Sequence, residues 1–264
     1  MIQLMSLGCD PEVFLKRNNN FISAFGLVQG NKQNPYPLLQ GAVQVDGMAL
    51  EFNIEPAKNV NEFISNITTV LAQIRQAIPS DIEFDSKCTV HMTTDYLMTR
   101  QPEEVEMGCD PDFNAYTFSV NPRPDQARPM RTAGGHVHIG LGSNLDIGDM
   151  DVQYEMNKVI QLMDINLGVP SVILDPDVER RSMYGKAGAC RYKSYGVEYR
   201  SLSNFWVHDT ALMAWVFQQS ELAVSQLANY EDIIAQAGDV QSIINNSDIN
   251  AAQALVAKLN IRMP

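Results

Sequence analysis

Apolar and polar positions alternate with a period of two in four short stretches of this chain. They are Asp10-Pro11-Glu12-Val13, Glu51-Phe52-Asn53-Ile54-Glu55, His136-Val137-His138-Ile139 and Glu198-Tyr199-Arg200. In a strand, residues i and i+2 share a face. Asp10 is thereby grouped with Glu12, Glu51 with Asn53 and Glu55, His136 with His138, and Glu198 with Arg200. The residues between them are mostly apolar and suited to packing against helices. Strands in one sheet would bring five carboxylates, two imidazoles and a guanidinium to one polar face.

A first strand is expected over 4–15, with a partner at 21–28 across an Asn18-Asn19-Asn20 turn. A Gly-, Pro- and Asn-rich loop follows at 29–41. Residues 42–55 read as a long strand or a hairpin turning at Asp46-Gly47, ended by Pro56. Helical spacing of Phe63, Ile67, Val70, Leu71, Ile74 and Ile78 predicts a helix capped by Asn61 and running to about 77. A short strand at 82–92 precedes a polar, Pro-rich stretch over 93–134, read as irregular with a strand near 115–120. Further strands are expected at 135–141 and 197–203, separated by a helix at 149–167 and a loop at 170–196. Helices at 208–228, 230–237 and 249–259 complete the chain. This order lacks regular βα alternation. The class is α+β: a mostly antiparallel sheet with helices on one face and a polar cavity on the other. No boundary signal divides residues 1–264, so one domain is expected.

Composition narrows the chemistry. The chain has 264 residues, 45% hydrophobic and 19% charged, enough for a packed core. No apolar run approaches the roughly 20 residues needed to cross a bilayer. The N-terminus lacks a signal-peptide pattern, so a cytoplasmic protein is expected. The formal net charge of −12 argues against a general nucleic-acid surface. Basic residues nonetheless concentrate in one stretch: Arg180, Arg181, Lys186, Arg191, Lys193 and Arg200. Cys9, Cys88, Cys109 and Cys190 form no CxxC pair, and buried thiols are expected rather than a zinc site.

Carboxylates crowded within about 5 Å repel one another unless a cation neutralises them or protons are taken up. An oxygen-rich set of this kind suits Mg²⁺ or Mn²⁺. The glycines around the HxH pair leave room for close approach by a ligand. Arginines and lysines of the basic stretch can grip phosphate. No GxxxxGK[ST] loop is present, so a P-loop does not cradle the nucleotide. Together these groups suit metal-assisted phosphoryl transfer. One echo stands apart: Gly8-Cys9-Asp10-Pro11-Glu12 resembles Gly108-Cys109-Asp110-Pro111-Asp112.

The ordered set D-P-E, L-E-F-N-I-E-P, G-G-H-V-H-I-G and Y-G-x-x-G-x-x-R-x-K-x-Y-G-V-E-Y-R-S-L-S-N-F-W resembles the carboxylate–amine ligases of the glutamine synthetase and γ-glutamylcysteine ligase fold. The closest resemblance is to the phage-type amidoligases, the type 2 COOH–NH₂ ligases. It spans residues 7 to 206. The resemblance implies a curved antiparallel sheet forming a funnel, with helices on its outer face. It also implies ATP, two or three Mg²⁺ or Mn²⁺ ions, an acyl-phosphate intermediate, and carboxylate and amine substrates. A phage-encoded member would act in the host cytoplasm. Asp10, Glu12, Glu51, His136 and Glu198 match metal ligands. His138 matches a phosphate-contacting position. Arg200 would stabilise the transferred phosphoryl group, with Arg191 and Arg181 as further phosphate or carboxylate binders. Lys186 and Lys193 add nucleotide-binding charge, and Glu55 is the candidate general base. Asp10 stands where larger relatives commonly have Glu. The competing classes are a metal-dependent hydrolase of amidohydrolase type, a cupin-like dioxygenase, and a degenerate binding or structural member of the ligase fold.

Overall fold

The computed structural model describes residues 3–105, 112–122, 128–175 and 177–264. Its strands, in chain order, are β1 (Ser6–Cys9), β2 (Glu12–Arg17), β3 (Asn20–Ile22), β4 (Tyr36–Leu38), β5 (Gly41–Asp46), β6 (Ala49–Ile54), β7 (Glu83–Asp85), β8 (Thr89–His91), β9 (Phe113–Asn114), β10 (Ser119–Val120), β11 (Met130–Thr132), β12 (Val137–Gly140), β13 (Ala189–Lys193) and β14 (Gly196–Tyr199). The helices are α1 (Val60–Ala77), α2 (Thr94–Met98), α3 (Pro102–Val105), α4 (Met150–Met163), α5 (Val169–Leu174), α6 (Val178–Met183), α7 (Thr210–Ser225), α8 (Tyr230–Ala237), α9 (Val240–Asn245) and α10 (Ile249–Leu259). None of the described helices is long and apolar enough to cross a membrane.

Two sheets carry the architecture. One has the order β1-β12-β14-β13-β9-β10, the other β3-β2-β6-β5-β4 with β7 also paired to β2. A two-stranded ribbon of β8 and β11 lies apart. Every strand pairing among the described residues is antiparallel. That pattern departs from the (β/α)₈ barrel a hydrolase of amidohydrolase type would need. The α+β class and the mainly antiparallel pairing agree with expectation.

The expected strand over 4–15 is two strands that serve different sheets. The break falls at Asp10-Pro11, where proline removes a backbone donor from the ladder. β1 pairs with β12, and β2 pairs with β6. The stretch from β1 to β2 is therefore the seam between the sheets. Beyond it, Glu12 N–H donates to the Gly134 carbonyl at 2.9 Å, and Phe52 N–H to the Pro11 carbonyl at 3.1 Å.

The apolar alternation does what its period requires. Leu7, Ile139 and Val197 occupy one cross-strand row, and Cys9, Val137 and Tyr199 another. These side chains share a core with Leu50, Phe52 and Ile54 of β6, Phe63, Ile67 and Val70 of α1, and Met156, Val159 and Ile160 of α4. Helix α1 packs on β5, β6 and α7, and α4 packs on β13, β14 and α7. The cap of α1 is Asn59, not Asn61: its side chain accepts from Glu62 N–H at 3.0 Å. Residues 93–134 hold α2, α3, β9, β10 and β11 where an irregular stretch was expected. The region 170–196 is not a loop either, since it contains α5, α6 and β13. These pieces are too short for a periodic signal. Cys9, Cys88 and Cys190 are buried and free, while Cys109 lies outside the described residues.

The helix expected at 149–167 runs from α4 through a π-helical turn at Asp164–Gly168 into α5. The turn aims a fully buried carboxylate, Asp164, at the back of β14. It accepts from Tyr199 Oη at 2.7 Å, Gly188 N–H at 2.6 Å, Tyr116 Oη at 3.0 Å and Ser201 Oγ at 3.2 Å. Burial raises its pKa to about 7 despite these donors. The folded state therefore holds this proton more tightly than the unfolded chain. The associated stability is complete below the ordinary aspartate range of about 4, and is lost as pH climbs through about 7. Asp164→Asn has no proton to lose. In urea melts its stability relative to wild type should improve from about pH 4 to about pH 7 and level off above. A difference that stays flat with pH would show that Asp164 carries no such proton.

Candidate active site

The seam decides which polar groups meet. In the first sheet, Gly8, His138, Glu198 and Arg191 lie in one cross-strand row. In the second, Glu12, Glu51 and Gln44 form a row, and Asp46 shares its face two residues on. Directly opposed residues of antiparallel strands project to the same side. Both rows therefore present their polar groups away from the core, and Asp10 stands between them at the crossover.

Two groups of candidate metal donors result. Asp10, His138 and Glu198 offer one ligand atom each, all within 4.8 Å of one another, as do Glu12, Asp46 and Glu51. In the first, His138 Nε2 lies 3.0 Å from Asp10 Oδ1. Asp10 Oδ1, His138 Nε2 and Glu198 Oε2 are buried yet complete no hydrogen bond of good geometry. Buried polar atoms left this way are what a bound cation would satisfy. Oxygen donors with one imidazole fit Mg²⁺ or Mn²⁺. In the second group, Glu12 Oε2 accepts from Gly134 N–H at 2.7 Å, and Asp46 pairs with Lys32 at 2.9 Å.

The two groups differ in how their charge is balanced. Glu198 is fully buried, but Lys193 Nζ lies 3.2 Å and Arg191 Nη1 3.6 Å from its Oε2, and Arg200 Nη1 bonds its Oε1. Burial and the neighbouring Asp10 charge push its pKa up; Arg200, His136 and His138 outweigh them and hold it at about 2. Burial likewise acts to raise Asp10, and the charge and hydrogen bonds of His138 and His136 keep it well below the usual range. Glu51 has no such relief. Burial, then Asp10, Glu12 and Asp46, drives its pKa well up. Glu12 is raised by burial and Asp46. The second group is thus the one that needs a proton or a cation.

The remaining expected residues divide clearly. His136 Nδ1 sits 3.3 Å from Asp10 Oδ1 and 3.7 Å from Glu198 Oε1, with Arg200 Nη1 at 3.4 Å. It touches the first group, but His138 is the imidazole that completes that group, and Tyr195 Oη bonds the Nδ1 of His138. The phosphate-contacting assignment of His138 is thus joined by a metal-ligand geometry. Arg191, Lys193 and Arg200 all gather on Glu198. Arg181 is not brought to the site. Its guanidinium donates to the carbonyls of Asp175 at 2.7 Å and Ser171 at 3.0 Å, bracing α5 against α6. Lys186 is half-buried and lies outside both groups. Glu55 falls one residue beyond β6 and is exposed, so the strand that was to aim it inward has already ended.

Asp46 and Arg131 were not anticipated as site groups, and Arg180 only as one cation of the basic stretch. Asp46 had a readable signal: a tight turn at Gly47 puts it on the same face as Glu51. From the echo, Asp110 and Pro111 lie outside the described residues. Asp112 is described, and its Oδ1 meets Arg200 Nε at 2.6 Å. Glu12, Asp46, Asp112, His136 and Arg200 line a cavity whose other walls include Phe14, Met48, Arg131, Arg180 and Tyr184. It encloses about 650 Å³ of empty space, its open mouth included.

A family model described as Phage phiEco32-like COOH.NH2 ligase-type 2 matches residues 128–263. The match takes in His136, His138, Arg191, Lys193, Glu198 and Arg200. It leaves Asp10, Glu12, Asp46 and Glu51 outside. No curated protein matches the chain.

A raised Glu51 pKa means that its contribution to stability is lost as pH rises through that value. In EDTA, Glu51→Gln should therefore gain stability relative to wild type as pH is raised above the ordinary glutamate range. Mn²⁺ should raise the melting temperature of the wild type, and raise that of the variant less. An unchanged Mn²⁺ response in thermal melts would remove Glu51 from the cation site.

Proposed function

This chain belongs to the phage phiEco32-like COOH–NH₂ ligases of type 2, which join a carboxylate to an amine, and we propose that it does so at the expense of ATP through an acyl phosphate. The observation that carries the reading is the meeting of two carboxylate groups with Arg191, Lys193 and Arg200 along one seam. Asp10, His138 and Glu198 would hold one divalent ion, and Glu12, Asp46 and Glu51 a second. Such ions neutralise phosphate oxygens and stabilise charge that develops during phosphoryl transfer. The curved double sheet would form the funnel of a glutamine synthetase-like ligase, closed behind by α1, α4 and α7.

The residues of this chain supply the rest. Arg200 lines the cavity and bonds the buried Glu198, so its guanidinium is oriented before any ligand arrives. Preorganised cations of this kind act on charge that appears only in the transition state. A substrate carboxylate oxygen takes the γ-phosphoryl group and ADP leaves. The amine nitrogen then attacks the acyl carbon, inorganic phosphate departs, and the amine gives up a proton. An acceptor for that proton would come from Asp112, the acid that lines the cavity outside both ion groups, in place of the exposed Glu55. Closure of the cavity over bound substrates would limit hydrolysis of the acyl phosphate.

ADP release measured against a panel of carboxylic acids, amino acids and amines should require Mg²⁺ or Mn²⁺ and both substrates. Glu198→Gln should lower it by about 100-fold or more, as expected when several kcal/mol of charge stabilisation is lost. Circular dichroism should show the variant folded. ADP release at wild-type rate in Glu198→Gln would discredit the metal assignment. No ADP release with any pair would favour a binding or structural role on the ligase fold.

A further inference from the structure

His138 has a definite neighbour at each ring nitrogen. Nε2 faces Asp10 Oδ1 at 3.0 Å and lies in the first donor group with Asp10 and Glu198. Nδ1 bonds the phenol oxygen of Tyr195. A neutral imidazole carries one N–H and one lone pair, and the bond made by one nitrogen decides which of them the other offers. For Nε2 to ligate a cation its lone pair must be free. The ring proton then belongs on Nδ1 and needs an acceptor there. Carboxylates and backbone carbonyls commonly serve. Here the partner is a phenol, which accepts that proton without adding charge beside Asp10 and Glu198.

The hairpin of β13 and β14 puts Tyr195 in place. Ser194 and Tyr195 form the turn between Lys193 and Gly196. The chain that leaves β12 pins this turn: Leu141 N–H donates to the Tyr195 carbonyl at 2.8 Å, and Leu145 N–H to that of Ser194 at 2.8 Å. The Tyr195 ring stacks beside His138, with 6.0 Å between centroids and 29° between planes. It belongs to none of the apolar clusters among the described residues, and it is 37% exposed. Core packing therefore does not account for a tyrosine here, whereas the bond through its oxygen does.

We propose that Tyr195 is a positioning residue for the cation held by Asp10, His138 and Glu198. Its oxygen accepts the Nδ1 proton of His138 and so leaves the Nε2 lone pair facing the ion. A hydroxyl can also donate. Before an ion arrives, Tyr195 O–H donates to Nδ1, and Nε2–H faces Asp10 Oδ1. On loading, exchange with solvent moves the ring proton from Nε2 to Nδ1, and the Tyr195 hydroxyl turns from donor to acceptor. The imidazole keeps its place in both states. This rests on the reading of the trio as a cation site and goes beyond it by naming what orients the imidazole.

The test reads the ion and the proton separately. Mn²⁺ binding to the full chain is titrated by calorimetry in the Glu51→Gln background, which removes a donor of the second group. Adding Tyr195→Phe keeps the ring and should weaken this binding about tenfold or more, the scale of a lost partner behind a ligating histidine. The melting temperature in EDTA should stay close to that of the background. In the wild type with saturating Mg²⁺, which is diamagnetic, nitrogen NMR locates the proton on His138, its signals assigned by their loss in His138→Gln. The proton should be on Nδ1. A proton on Nε2, or a Mn²⁺ affinity unchanged by Tyr195→Phe, overturns the proposal. Should Tyr195→Phe fail to fold, the location of the proton in the wild type still decides. Glu198→Gln, titrated alongside, tells this failure from that of the cation reading. If it abolishes binding that Tyr195→Phe leaves intact, the trio keeps its ion and Tyr195 loses its role. If it too leaves Mn²⁺ binding unchanged, the cation reading falls and the proposal falls with it.

Discussion

Charge held out of water is the constraint around which the molecule is arranged. Glu198 has no exposed surface, and it is tolerated because Arg191, Lys193, Arg200 and His136 close around it. Two of the groups beside it owe their position to an antiparallel register. Arg191 faces Glu198 across β13 and β14, and His138 faces it across β12. A slip of one residue would turn every member of the row into the core. The apolar rows on the reverse face, with Tyr199 and Val197 against α4, make that slip costly. Packing on one side of the sheet thus fixes electrostatics on the other.

The second sheet lacks this compensation. Glu12, Asp46 and Glu51 meet with few basic neighbours, so the seam joins a balanced half to an acid-rich half. Pro11 is what makes the asymmetry available, because it lets the chain leave one ladder and enter the next. The stretch after β14 then locks the join. Asn204 Nδ2 donates to the Glu12 carbonyl at 2.9 Å, Gly135 N–H to that of Leu202 at 3.0 Å, and Ser203 Oγ to Asp175 at 2.6 Å. Gly135 has to be a glycine here, since a Cβ would lie 2.3 Å from the Ser203 carbonyl oxygen.

The alternating stretches were legible because a two-residue period survives any tertiary context. That was enough to place Asp10, Glu12, Glu51, His138, Glu198 and Arg200 on polar faces. The split of the first strand between sheets was not legible, since a strand can change partners without losing its alternation. Arg181 shows a different limit. A cluster of cations in sequence looks like a phosphate grip, yet helix α6 carries its guanidinium back into the carbonyls at the end of α5. Glu55 had the right parity and the wrong position, because parity says nothing about where a ladder stops. Arg131 gave no signal at all: its place on the cavity wall is a property of the fold.

The π-helical turn at Asp164–Gly168 does more than aim one carboxylate. Upstream, Met156, Val159, Ile160 and Met163 fill the core beneath the sheets. Downstream, Val169 and Val172 belong to a separate cluster with Val240, Ile244, Ala252 and Leu255. An α-helix advances about 100° per residue, and the widened turn resets that phase between the two cores. One rod can therefore serve two neighbourhoods whose apolar stripes would otherwise be out of step. Deleting a single residue there would rotate α5 away from α9 and α10 while the sheets stayed intact.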